Sequence, residues 1–151
     1  MRLALRAIAL FGFAVTSACG SDSSPARASA ETLFASYQSL EQAYDPAVAD
    51  LYCETALIRN TRHYPDGQAR VIEIPAPQYK GLIRTAMPLA QARGDYSTYS
   101  DVEYAAEGAN MRITATRFSV LKNYASPISL LVGPCSGEAW AILEEISESQ
   151  P

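Results

Sequence analysis

The chain has 151 residues, of which 12 are basic and 16 acidic, and a formal net charge of −4. This acidic balance excludes the basic footprint by which proteins bind nucleic acids or anionic lipid surfaces, so we predict no nucleic-acid partner. The length suits one domain with its own hydrophobic core.

The first 18 residues have the pattern of a secretory signal peptide. Two arginines precede an apolar run over residues 7–15, which is shorter than the roughly 20 residues needed to cross a membrane. Ser17-Ala18-Cys19 then resembles a bacterial lipobox, with Thr16 where leucine is usual. The resemblance implies that Cys19 becomes the lipidated first residue. The alternative is an ordinary secreted protein cut at Ala18 or Ala28.

These signals divide the chain into a signal peptide (1–18), the lipidated Cys19 with a flexible tether (19–30), and a globular domain (31–151). The tether is rich in Ser and Ala, as flexible linkers are. The interpretation predicts a lipid-anchored protein on the periplasmic side of the bacterial envelope, whose only membrane contact is the anchor. A soluble periplasmic or secreted protein is the alternative. Loss of the signal peptide would make the formal charge −6.

Cysteine usage agrees with an oxidising compartment. If Cys19 carries lipid, Cys53 and Cys135 remain as an even pair. We predict a disulfide between them, and two separate buried thiols are the alternative.

Three helices are predicted in the domain. Apolar residues recur at helical spacing over residues 30–44, with Tyr37 on the buried face. Asp45 can cap a short second helix that begins at Pro46. The third helix begins at Pro77, and its buried face is formed by Tyr79, Leu82, Ile83 and Met87.

Alternating apolar and polar residues predict six strands. Asp66-Gly67 favours a hairpin between the first two. The predicted strands span residues 54–64, 69–74, 96–105, 111–122, 128–132 and 139–147.

Two of these strands carry further signals. Apolar positions change parity between Ala115 and Phe118, which predicts a bulge in the fourth strand. In the last strand the acidic residues indicate a solvated end; they are Glu144, Glu145 and Glu148. The element order α-α-β-β-α-β-β-β-β predicts an α+β fold in which a cone-shaped, strongly curved, mostly antiparallel sheet wraps three helices.

Over residues 31–149 this order resembles the nuclear transport factor 2-like (NTF2-like, or SnoaL-like) superfamily. The stretches that carry the resemblance are Tyr44–Tyr52, Arg112–Phe118 and Gly137–Glu145. The superfamily contains isomerases, dehydratases, cyclases and non-enzymatic modules, so the fold alone does not settle function. The resemblance also implies that the first strand lies beside the last, which would bring the two cysteines together.

This sequence lacks most of the residues that enzymes of the superfamily use for catalysis. Enzymes that resemble ketosteroid isomerase use a carboxylate at the position of Asn60, which cannot abstract a proton, and a second acid where Ser129 stands. Their helical tyrosine corresponds to Tyr37. His63 is the only histidine, and its place near a turn is typical of an exposed polar residue. We predict no metal site and no cofactor, because no ligand cluster or phosphate loop is present in the sequence.

The sequence therefore favours a non-catalytic module. It would bind a small apolar or amphipathic ligand in the cone, or form a homodimer or accessory complex through a sheet face that carries Met111, Ile113 and Phe118 or their opposite-parity neighbours. The enzymatic alternative is a lyase or isomerase that uses Tyr37 with Asn60 or His63. Six aromatic or methionine side chains are candidates for lining such a pocket, and for each the alternative is that it fills the core. They are Tyr37, Tyr52, Tyr79, Met87, Phe118 and Trp140.

Overall fold

A computed structural model describes residues 24–151. The predicted signal peptide and the lipidation site at Cys19 lie outside these residues. Among the residues described, none of the helices has the length and apolar character needed to cross a membrane.

The fold class and the element order are as predicted. Helix α1 is followed by a short 3₁₀ helix, a β-hairpin, helix α2 and four further strands. The bounds are α1 (Pro25–Gln42), the 3₁₀ helix (Pro46–Leu51), β1 (Tyr52–His63), β2 (Ala69–Pro75), α2 (Ala76–Arg93), β3 (Ser97–Glu107), β4 (Asn110–Ser119), β5 (Tyr124–Pro134) and β6 (Trp140–Ser149).

Helix α1 begins before its predicted start. Ser24 caps the helix by accepting a hydrogen bond from the backbone N–H of Arg27 at 3.2 Å, and Pro25 occupies the first turn. The alanines that follow favour helix, and Ala30 is fully buried. Residues 25–30 are therefore helical, and the flexible conformation predicted for them is wrong.

The six strands form one sheet in the order β2-β1-β6-β5-β4-β3. All neighbours are antiparallel except β1 and β6, which run parallel. The first strand thus lies beside the last, as the resemblance implied. Both long helices pack on the inner face of the sheet, where the core joins α1 to the centre of β4, β5 and β6 through Phe34, Ile113, Leu130 and Ile142.

An extra residue in β6 decides which side chains of that strand face inward. Leu131 of β5 pairs with Glu144, but the next residue, Val132, pairs with Ile142, so Leu143 is the extra residue of a bulge. Ile142 and Glu145 consequently both point into the core, and Ile146 points outward with 37% of its surface exposed. The solvated position predicted for Glu145 is wrong.

A further bulge lies in β3, whereas the bulge predicted in β4 is absent. Ser100 pairs with Thr116 and Glu103 with Thr114, which leaves one extra residue on β3. Asp101 takes a positive φ of 53° there. Strand β4 keeps its alternation and ends at Ser119, so Phe118 lies on the outer face of the sheet, 37% exposed.

Strand β5 is longer than predicted because it continues through Pro127. That proline pairs with Thr116 of β4 but lies one residue before the pairing with β6 begins, at Ile128 and Ser147. A proline at such a position costs no hydrogen bond to that neighbour.

Cys53 and Cys135 form a disulfide, with their Cα atoms 5.9 Å apart. Cys53 is the second residue of β1, and Cys135 follows β5 in the turn that leads to β6. The bridge joins the parallel pair β1 and β6 at the end where both strands begin.

Replacing both cysteines by serine should destabilise the domain. The bridge closes a loop with a sequence separation of 82 residues, for which chain entropy alone predicts a loss of about 4 kcal/mol. We expect urea unfolding to show a loss of about 2–4 kcal/mol, and a reductant to destabilise the wild type while leaving the double variant unchanged. Identical unfolding midpoints with and without reductant would contradict this prediction.

Candidate functional site

A cavity of about 260 Å³ lies on the inner face of the sheet, between the β1–β2 hairpin and the C-terminal half of β6. This volume is slightly below the usual range of small-molecule sites, about 300–1,000 Å³. Its walls come from four strands and α2: Ile58, Asn60, Arg62, Ile72, Ile74, Tyr79, Arg117, Glu145, Ser147 and Ser149. A larger depression of about 400 Å³ near Leu57 and Arg59 lacks a fully buried charge.

The carboxylate of Glu145 forms the polar floor of this cavity. Its side chain is 1% exposed. The phenol of Tyr52, at the start of β1, donates to one carboxylate oxygen. The phenol of Tyr79, in the first turn of α2, lies 3.1 and 3.2 Å from the two oxygens. These phenols satisfy a buried carboxylate that would otherwise be costly to desolvate.

A second acid–tyrosine pair lies next to the first. Glu41, in the last turn of α1, accepts a hydrogen bond from the phenol of Tyr99 on β3. Burial raises the pKa of Glu41, and the hydrogen bond from Tyr99 opposes that rise. Tyr37 packs between these groups, with its ring centroid 6.0 Å from that of Tyr99.

All four tyrosines of this cluster stay protonated at neutral pH. Burial is the main cause that raises the pKa of each phenol, and a nearby carboxylate adds to it. They therefore act as hydrogen-bond donors and not as bases. The members are Tyr37, Tyr52, Tyr79 and Tyr99.

Two arginines supply positive charge to the cavity wall. Arg117 on β4 donates through Nη2 to the backbone carbonyl of Glu148 at 2.7 Å. Arg62 on β1 lies over the ring of Tyr64, with its guanidinium carbon 5.9 Å from the ring centroid. Neither arginine was singled out from the sequence.

The three predicted catalytic candidates are not brought to one place. Tyr37 is 6% exposed and is absent from the cavity wall. Asn60 lines the cavity, but its Nδ2 donates to Ser147 at 3.0 Å and its Oδ1 accepts from Ser149 at 2.7 Å. His63 lies on the outer face of β1, where its Nε2 is 2.9 Å from a carboxylate oxygen of Glu148.

The six predicted pocket residues lie in different parts of the fold. Tyr37 and Tyr52 are core residues, whereas Tyr79 lines the cavity. Met87 of α2 is half-buried against the core. Phe118 is on the outer face, and Trp140 lies far along β6 from Ser149, in a shallow depression against α1. Only Tyr79 of these six therefore belongs to the cavity wall.

The outer face of the sheet is charged near its centre. Arg112 binds Glu107 at 2.9 Å and Glu144 at 2.6 Å. Met111 and Ile113, considered above for a dimer face, are 4% and 1% exposed and belong to the core. Among residues 24–151, no three side chains of His, Cys, Asp or Glu lie close enough to hold a metal ion.

No protein-family model matches the sequence, and no curated protein matches it. Solved structures share its fold. An NTF2-like protein of unknown function from Shewanella oneidensis matches with a TM-score of 0.60 and 12% identity, over 81% of this chain and 98% of that one. A candidate dehydratase of the NTF2-like family from Streptomyces avermitilis matches with a TM-score of 0.57 and 10% identity, over 80% and 93% of the two chains.

A third match is an NTF2-like protein with a cystatin-like fold from Novosphingobium aromaticivorans. It has a TM-score of 0.53 and 15% identity, over 82% of this chain and 80% of that one. Identities this low show the fold alone. The described part of the chain has the NTF2-like cone fold.

Replacing Glu41 by glutamine should change how stability depends on pH. Because the pKa of Glu41 is raised on folding, the folded state binds this proton more tightly than the unfolded state. Its contribution to stability is therefore greatest below the ordinary pKa of the carboxyl and is lost as the pH rises through the folded pKa. The amide of glutamine still accepts from Tyr99 but does not titrate.

We therefore expect Glu41→Gln to gain stability relative to the wild type between pH 4 and pH 7, measured by urea unfolding. Glu31→Gln, which removes an exposed carboxylate from the same helix, controls for the loss of one charge. Parallel pH profiles for the wild type and Glu41→Gln would show that burial does not perturb Glu41.

Proposed function

We propose that this chain is a binding module that holds a small molecule in the inner cavity of its cone. The observation that carries the proposal is the composition of the cavity wall. Buried polar groups, Glu145 and Ser147, and the half-buried Arg117 face a space that an ordinary core would fill with apolar side chains. Convergent polar groups in a partly apolar cavity are characteristic of ligand sites.

The enzymatic alternative has weaker support. Catalysis by Tyr37 with Asn60 or His63 would need these groups to face one substrate, but they lie in the core, on the cavity wall and on the outer sheet face respectively. The carboxylate of Glu145 already accepts from two phenols. A binding role therefore explains the arrangement of the cavity residues better than a proton-transfer role does.

Blocking the cavity tests this proposal. Ile72 of β2 lines the cavity, whereas its neighbour Val71 is 59% exposed and points to the other face. Ligand-observed NMR with a fragment library should find binders of the wild type. Ile72→Trp should weaken them by about tenfold or more, since the indole fills the space they need, and Val71→Trp should leave them unchanged.

Equal binding by the wild type and Ile72→Trp would place the fragments elsewhere. The absence of any binder that responds to Ile72→Trp would overturn the proposal. Circular dichroism of both variants establishes that each remains folded.

We further propose that the module is carried by a lipid on Cys19 at the periplasmic side of the bacterial envelope. The support is the N-terminal sequence, together with a disulfide that suits an oxidising compartment. A dimer or accessory complex remains a proposal for the outer sheet face.

Cys19→Ala should move the protein from the membrane fraction to the soluble fraction. The lipid is the attachment in this proposal, and a cysteine is required for its thioether. Mass spectrometry of the wild type should show the added mass of acyl chains on an N-terminal cysteine. An unmodified cysteine, or an unchanged membrane fraction for Cys19→Ala, would contradict the anchor.

A further inference from the structure

We infer that the open end of the cavity binds the carboxylate of a small amphipathic ligand between Arg62 and Arg117. The inference rests on the proposed function, because it assigns a chemical class to the ligand of the same cavity.

The position of the proposed anion site follows from how the strands pair. Arg62 of β1 pairs with Ser149 of β6, and Arg117 of β4 pairs with Ser126 of β5. Ser126 and Ser149 both lie two residues beyond the pair Ile128–Ser147. The four side chains therefore form one inward-facing row across β1, β6, β5 and β4, with an arginine at each end and two hydroxyls between.

Two buried polar atoms in this row lack a partner. Among the described residues, only the Nε of Arg62 and the Oγ of Ser126 are buried side-chain polar atoms without a hydrogen bond. Such atoms are rare in native proteins, and each costs about 1–3 kcal/mol if it stays unsatisfied. Of the two residues, Arg62 lines the cavity, so an anion bound there would accept from its Nε.

No acid in the described part of the chain forms an ion pair with the arginines of the row, although the charges of Glu41 and Glu145 lie close enough to act on Arg117. Among residues 24–151, neither Arg62 nor Arg117 has a carboxylate within 4.0 Å. Glu148 offers Arg117 only its backbone carbonyl, while its side chain pairs with His63 on the outer face. Arginine stays charged at any physiological pH, and its fork of N–H donors matches a carboxylate.

Glu145, the one acid on the cavity wall, starts from a different level of the sheet. Glu145 pairs with Ile58, four residues before the Arg62–Ser149 pair, which separates the two levels by about 13 Å along the strand. Its oxygens are occupied by the phenols of Tyr52 and Tyr79. The floor therefore has no free donor for the anion of a ligand, whereas the row has the unpaired Nε of Arg62.

The middle of the cavity suits an apolar body. Ile58, Ile72 and Ile74 line it from β1 and β2. A short hydrocarbon or aromatic body would bury apolar area against them while its acid group reaches the row. The predicted occupant is thus a small monocarboxylate and not a neutral lipid.

Matched acid–amide pairs test the inference on the full chain purified in detergent. The probes are benzoate with benzamide, phenylacetate with phenylacetamide, and hexanoate with hexanamide. Calorimetry or NMR titration should show at least one acid that binds about tenfold or more tightly than its amide, because only the acid receives charge-assisted hydrogen bonds. The preference should weaken with added salt.

Arg62→Gln and Arg117→Gln should each remove most of this preference. Arg59→Gln is the matched control, because Arg59 lies on the same strand as Arg62 but pairs with Glu73 on the outer face. If Arg117→Gln does not fold, Arg117→Lys keeps the charge while removing the fork, and a partial loss of preference is then expected.

The possible outcomes separate this inference from the proposed function. Equal binding of acids and amides, or binding of neutral fragments alone, would overturn the carboxylate assignment and leave the binding module intact. The absence of any probe or fragment that responds to Ile72→Trp would overturn both. An acid preference that survives both arginine variants would place the anion elsewhere and also refute the assignment.

Discussion

The burial of one carboxylate constrains the architecture of this domain. Glu145 is excluded from water and needs donors, which come from Tyr52 at the start of β1 and Tyr79 at the start of α2. These two phenols tie the last strand to the first strand and to the second helix. Removing either donor would leave an unsatisfied acceptor in the core, which is more costly than losing an exposed hydrogen bond. Tyr79 and Glu145 both line the cavity, so their hydrogen bond joins α2 and β6 within its wall.

The inward direction of Glu145 depends on the single extra residue at Leu143. Without that residue, Glu145 and Ile142 could not both face the core, and Ile146 would take the inner position. The alternation of residues 139–147 contains no sign of the bulge, since both isoleucines have the same parity in the sequence. This is why the element order and the pairing of β1 with β6 could be predicted, whereas the buried acid could not.

The residues that line the cavity also depend on strand register. Tyrosines at helical and strand spacing indicated an aromatic pocket, but Tyr37 and Tyr52 fill the core and Phe118 faces outward. Arg62 and Arg117 gave no local signal, because a charged residue in an alternating strand is ordinarily exposed. That the two arginines belong to one row across the sheet follows only from the combined registers of four strands. Tyr79 alone among the predicted pocket residues lies on the wall.

The early start of α1 limits how far the domain could move from a membrane. If Cys19 carries the anchor, six residue steps separate it from Pro25, the first residue of the helix. Such a segment spans at most about 20 Å when fully extended. The protein would then lie against the bilayer surface instead of sampling the periplasm, and the first turn of α1 would be the part nearest the lipid. Any ligand of the proposed cavity site would then be a molecule that passes close to that surface.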